Sequence, residues 1–287
     1  MTRLEKPEKP EKPEKRHYQL LAAVLALLVM GIFGPFVAQP AHQHDFADQR
    51  VWGTVPFAMD VLSNLPFALW GAAGLGYMAV LFWQRRFHKP AADGAYTAAQ
   101  LALAGLFCVG LVLTAAGSCW YHWLPNDSGL ALDRLGMVVA FAGLLGLAAA
   151  GRGSWQAGVA LAGAVLIFGA LSVGVWVFDG NILPWVLVQF GGMAMVLWFA
   201  WLKALPEALP VRWGAVVVIY AVAKLLELGD HEIYDMTSHG VSGHTLKHIV
   251  ASFAAWPVLA ALHAWVKTSL NSPQAGLQVH KGRAECL

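Results

Sequence analysis

Residues 96–150 read YTAAQLALAGLFCVGLVLTAAGSCWYHWLPNDSGLALDRLGMVVAFAGLLGLAAA. Two apolar runs, 96–121 and 131–150, are each long enough as a helix to cross a hydrocarbon core of roughly 30 Å. Between them lies a short polar stretch in which Pro125 to Gly129 turn the chain, so a hairpin of two membrane-crossing helices is expected. Outward from this hairpin, equivalent runs lie at 57–83, 155–178, 184–203, 211–229 and 243–266, and one more leads the chain at 17–38. The expected fold is all-α: a polytopic membrane protein with a seven-transmembrane-helix bundle and one extra N-terminal transmembrane helix.

Composition agrees. Of 287 residues, 58% are hydrophobic and only 13% charged, far too apolar for a soluble globule of this length. A net charge of +2 gives no reason to expect nucleic acid, and no glycine-rich phosphate-cradling motif points to nucleotide chemistry. Cys108 and Cys119 fall within or at the end of a span and Cys286 in the tail, so no disulfide framework is read and the thiols are expected to serve packing. The organisation expected is a charged, Pro-punctuated tail at 1–16 that buries nothing and is disordered, a signal-anchor helix at 17–38, the bundle at 57–266 and a cytoplasmic tail at 268–287. Cleavage of the leader near Ala38 or Ala41 is the alternative to a retained anchor.

Basic residues orient the chain. With a cytoplasmic N-terminus, fifteen of the 19 Lys and Arg fall on the cytoplasmic side, Arg50 and Arg134 on the other, and Lys224 and Lys247 within spans. In that orientation the outer helix ends collect the unusual residues: Asp60, Ser63 and Asn64; Ser118 and His122; Asp133; Glu227 and Asp230; His244 and His248. Ionisable groups are costly inside a membrane, so a layer of them at one depth marks a functional site.

The stretch SGHTLKH, 242–248, sets His244 and His248 one helical turn apart on one face, aimed at one point. With His122 from another helix end, three imidazoles make a catalytic zinc set with a fourth position open to water. An isolated pair of this spacing also suits histidines wetted by lipid headgroups. Ser118 stands one turn before His122, able to donate to a substrate oxygen or to bond back to the carbonyl of residue 114. Asp133 can accept the proton of a metal-activated water, or else cap its helix or pair with Arg134. His231, His239 and Asp235, in a polar loop, are read as solvated.

Three blocks, GSCWYHWLP, LALDRLGM and SGHTLKH, resemble those of the alkaline ceramidase family, within the wider group that includes the progestin and adiponectin receptors and GPI-remodelling proteins. The stretch DVLSNLPF, with Asp60, Ser63 and Asn64, is similar to that family's opening block. The resemblance covers about residues 57–266. It implies Zn2+ on His122, His244 and His248, Asp133 beside the water and Ser118 near the scissile carbonyl of a membrane lipid amide. Eukaryotic members carry an acidic, tryptophan-containing calcium segment before the first core helix. Here that stretch reads HDFADQRVWG, where Asp45 and Asp48 could hold an ion or contact Arg50, so calcium is not carried over. The leading span is a second departure. The Ala- and Leu-rich chain looks bacterial, which implies the cell membrane, a periplasmic site and an N-acyl lipid that need not be ceramide.

The function expected is therefore zinc-dependent hydrolysis of a lipid amide. Its rivals are a lipid-sensing receptor or scaffold with structural zinc, separated by a fatty-acid release assay, and a haem-binding electron carrier, separated by a Soret band. The four-residue spacing of the histidine pair argues against haem because both rings face one metal.

Overall fold

A computed structural model describes residues 13–87 and 95–271, with side chains over 16–83 and 97–267. The expected disordered tail up to residue 12, most of the loop at 84–95, and residues 272–287 of the C-terminal tail with Cys286 lie outside the described residues. The described chain is helical, and its only β pairing consists of two isolated bridges, Ala38 with Asn181 and Trp52 with Val55. Seven helical segments among the described residues are long and apolar enough to cross a membrane: 16–33, 58–83, 97–123, 127–150, 155–179, 183–201 and 243–267.

The leading helix α1, Pro13–Phe33, starts and ends ahead of the expected 17–38. An irregular strap over 34–57 follows, then the short α2, Ala58–Leu62, and α3, Leu65–Phe87. The hairpin comprises α4, Ala95–Trp123, and α5, Asp127–Ala150. The helix α5 begins four residues before 131 because Asn126 caps it, its side chain accepting from the Gly129 N–H at 2.7 Å. Asp133 is therefore no cap. Ser154 caps α6, Trp155–Asp179, and Gly180, with φ of 74° in the left-handed region, ends it.

The next span contains α7, Leu183–Val186, a π turn at Leu187–Gly191 and α8, Gly192–Trp201. The run at 211–229 becomes α9, Trp213–Leu228, whose 16 residues reach only about 24 Å, so this eighth segment falls short of a full crossing length. It still runs from one end of the bundle to the other. Its leading linker is bound to the start of α4, Gln100 Oε1 accepting from Leu209 N at 2.7 Å, and its far end joins α10, Asp230–Met236, beside the histidines. The last span is α11, Gly243–Ser252, a 3-10 turn, and α12, Trp256–Asn271.

The two ends of the bundle differ in chemistry. Arg16 Nη1 donates to the Arg152 carbonyl at 2.9 Å and the Lys203 carbonyl at 3.3 Å, which gathers basic positions at one end. The histidines and most buried carboxylates lie at the other. Packing between α4 and α5 is close because glycines remove side chains from the contact. A Cβ on Gly117 would meet the Leu132 carbonyl oxygen at 2.7 Å, and one on Gly136 the Leu113 carbonyl at 2.7 Å.

Candidate metal centre

The site is built on the start of α11. Ser242 caps this helix by accepting from Thr245 N at 3.0 Å, and Asp230 accepts from His244 N at 2.7 Å through Oδ1 and from Ala47 N at 3.0 Å through Oδ2. Carboxylate and hydroxyl oxygens thus satisfy the N–H groups that a helix start leaves open. Gly243 allows the close approach: a Cβ there would collide with the Leu226 carbonyl oxygen and lie 2.8 Å from Asp230 Cα. His244 and His248 then face the end of α4, where His122 waits.

One ring nitrogen from each of His122, His244 and His248 lies within 4.8 Å of the other two, and all three side chains are buried. His122 Nε2 and His244 Nε2 are 3.2 Å apart. Nitrogens sharing a tetrahedral zinc at about 2.0–2.1 Å stand roughly 3.3 Å apart, so this pair already has ligand spacing. The block Asp60, Ser63, Asn64 forms a shelf beneath. Ser63 Oγ donates to the Asp60 carbonyl at 3.0 Å and lies 2.9 Å from His248 Nδ1. Since the single hydroxyl hydrogen is used on the carbonyl, Nδ1 must carry the proton in this bond, which leaves Nε2 as the ligating lone pair. Thr245 Oγ1 donates to Asp60 Oδ1 at 2.7 Å and locks α11 to the shelf. His122 Nδ1 is buried with no hydrogen-bond partner. Three neutral imidazoles can hold a metal ion and suit zinc, with copper, iron and nickel compatible on the same donors.

The triad opens on a cavity of about 780 Å³ whose wall includes Ser118, Asp133, His244 and His248. Ser118 is buried and stands beside the Asp133 carboxylate, so these two expected site residues meet each other and line the triad's cavity. Among the described residues no ion pair joins Asp133 to Arg134. Further charges line this cavity, among them Glu227 of the expected layer and the two span lysines, Lys224 and Lys247. Lys247 Nζ lies 3.0 Å from His244 Nε2 and donates to Glu227 Oε1 at 3.0 Å, while Lys224 holds Glu227 Oε2. Their signal was visible, since two lysines and a glutamate within or closing spans are costly unless they serve a site.

The strap covers the triad. The Phe46 ring stands 4.6 Å from those of His122 and His244, and His44 ties the strap to Tyr121 at 2.8 Å and Asp127 at 3.1 Å. Arg50 grips the buried Asp48 through Nε at 2.8 Å and Nη2 at 2.5 Å, and Nη2 reaches the Gly240 carbonyl at 2.9 Å. Asp48 raises the pKa of Arg50 above its ordinary value, and the guanidinium takes up both Asp48 carboxylate oxygens. Asp45 instead approaches His231 at 3.9 Å, and His239 pairs with Asp235 on the exposed surface. Neither pair joins the triad, although Asp45 and His231 line the cavity on which it opens. Cys108 is buried and free, packed where α3 passes it at Gly74, and Cys119 donates to the Val61 carbonyl.

Compared with protein-family models and with curated protein sequences, the chain matches none. The functional argument rests on the fold and this centre: an integral membrane helical bundle with a three-histidine site able to hold a metal.

Proposed function

We propose that the protein is a zinc-dependent intramembrane hydrolase that cleaves the amide bond of a ceramide-like or other N-acyl lipid. The observation that supports this most is the placing of two pairs of groups on the wall of one cavity: His244 and His248 of the triad, and Ser118 beside Asp133. The resemblance of the sequence blocks to alkaline ceramidases points the same way.

His122, His244 and His248 would hold the metal. Bound zinc supplies Lewis acidity, bringing the pKa of a water to about 7 and polarising a carbonyl. Asp133 takes the proton of the attacking water as the C–O bond forms and later delivers it to the amine nitrogen, so the C–N bond breaks as the tetrahedral adduct collapses. Ser118, beside Asp133, can turn its hydroxyl to the developing oxyanion. Apolar cavity residues such as Phe107, Leu111, Phe141 and Leu144 accommodate the acyl chain. In the orientation set by the basic residues, the reaction takes place in the outer half of a bacterial cell membrane.

A second reading is a lipid-sensing receptor or scaffold with structural metal. It is favoured by one observation, the Phe46 ring over His122 and His244. The substitution Asp133→Asn separates the two. Zinc content is expected to stay unchanged while fatty-acid release from short-chain N-acyl sphingoids and related lipid amides falls about 10²- to 10⁴-fold. Release at the wild-type rate removes Asp133 from the chemistry, and no release by the wild type across a broad amide panel leaves the receptor reading.

A further inference from the structure

Arg134 is buried within a membrane-spanning helix, 4% exposed, yet no carboxylate ion-pairs with it among the described residues. Its sequence neighbour Asp133 stands beside Ser118 and forms no ion pair with the guanidinium. The groups in contact with the guanidinium are uncharged, Trp176 at 4.1 Å and Trp185 at 5.6 Å from its carbon and Gln39 Oε1, which accepts from Nη2 at 2.8 Å, while Asp133 and Asp127 act on it only at longer range. Nη1 is buried with no hydrogen-bond partner. A buried cation with an unmet donor costs several kcal/mol in a structural role, and Gln39 alone is a poor return for it. The other two cations on the cavity wall, Lys224 and Lys247, share Glu227. Arg134, on the same wall, has no carboxylate within ion-pairing distance among the described residues.

We infer that Arg134 is an anion subsite of the cavity, so that the lipid amide it takes carries a negative charge on its polar end. A guanidinium flanked by tryptophans offers paired N–H groups to a carboxylate, phosphate or sulfonate, and low-dielectric walls strengthen the contact. The subsite is close to the reacting amide. Consecutive Cα atoms are about 3.8 Å apart, so the charge sits within one side chain's reach of Asp133. That geometry fits a small anionic amine half, such as an amino acid, better than a long headgroup. The amide part of this assignment rests on the hydrolase reading, whereas the anion preference does not.

The test compares N-dodecanoylglycine with the neutral, similarly sized N-dodecanoylethanolamine, using the purified full chain in a neutral detergent. Equilibrium binding is read by tryptophan fluorescence, and fatty-acid release is measured in parallel. The wild type is expected to bind the carboxylate about 10- to 100-fold tighter, the range for one charge-assisted hydrogen-bond pair. Arg134→Gln is expected to bring that ratio near one; expressing each result as a ratio to wild type cancels partition into the micelle. Equal wild-type binding of the two amphiphiles overturns the subsite, as does a preference that persists in Arg134→Gln. Should Arg134→Gln not fold, the wild-type preference and its weakening with added salt decide the matter alone. Preference without release of fatty acid from either amide upholds the subsite and removes the hydrolase reading. Equal release from both amides, unchanged in Arg134→Gln, does the reverse.

Discussion

Replacing Ser63 by Ala leaves every proposed metal ligand in place and removes only the group that orients one of them. His248 Nδ1 lies 2.9 Å from Ser63 Oγ; its other neighbours are Asn64 Nδ2 at 3.4 Å, a donor that cannot accept the Nδ1 proton, and the Asp60 backbone carbonyl, which can. In Ser63→Ala that proton keeps only the Asp60 carbonyl, and a wholly unmet buried donor, at about 1–3 kcal/mol, sets the ceiling of the cost. Divided by about 1.4 kcal/mol per tenfold, this caps the weakening of metal binding at roughly 5- to 150-fold, in line with the 10–100-fold typical of groups that hold a ligating histidine. The structure selects the lower part of that range. Asn64 Oδ1 has no partner, and rotation of the amide would present it to Nδ1 at the expense of the bond from Nδ2 to the Asp60 carbonyl, 2.8 Å. We expect about tenfold for Ser63→Ala and about a hundredfold when Asn64→Ala is added. Competition with a chromophoric zinc chelator in detergent measures both, with His248→Ala as the floor. Wild-type affinity in the double variant would refute the orienting role given to Ser63, and wild-type affinity in His248→Ala would remove the ligand itself.

The orientation is checked by reporter fusions: alkaline phosphatase is expected to be active at residue 236 and silent at residue 90, and the reverse pattern overturns the outward-facing site. Gly117→Ala puts a Cβ 3.0 Å from Asp133 Cα. We expect the helices to part, the Ser118 to Asp133 contact to break and turnover to fall while zinc is retained; undiminished turnover would show that this contact is not needed. Gly243→Ala crowds Asp230 and the α9 carboxyl end, for which overpacking costs of about 1–3 kcal/mol apply. A lowered melting temperature together with weaker zinc binding is expected, and an unchanged zinc affinity would mean that α11 tolerates displacement.

The spans were legible because lipid leaves only two ways to satisfy the backbone, and an apolar run of helical length is diagnostic of one of them. Their ends were less so. The first turn of α5, Asp127 to Leu130, is polar and short, so hydropathy placed the helix start at 131, whereas Asn126 caps it. The triad was legible because four-residue spacing on a helix has one geometric meaning and because His122 shared its depth. The strap was not. An irregular segment has no periodicity, so nothing in residues 34–57 announced that Phe46 would lie on two histidines. Nor does hydropathy say which face of a helix a charge occupies, and this hid the inward positions of Arg134, Lys224 and Lys247.

How Asp133 comes to meet Ser118 shows where a further signal lay. Gly110 and Gly117 on α4 and Gly136 and Gly143 on α5 are each spaced by seven residues, two helical turns, so each pair lies along one face. In the structure they interlock. Gly117 meets Leu132 and Asp133, Gly136 meets Leu113, Gly110 meets Ala140 and Gly143 meets Phe107, each rise along one helix matched by an equal fall along the other. Small residues bring backbones together where lipid offers no hydrophobic drive. Four such contacts over about two turns leave no freedom to slide by a residue. The loop between His122 and Asp133 therefore need only close the hairpin. The partner of Ser118 is chosen by the glycine register, not by the eleven-residue gap, so small changes in loop length should be tolerated more readily than a methyl group at Gly117.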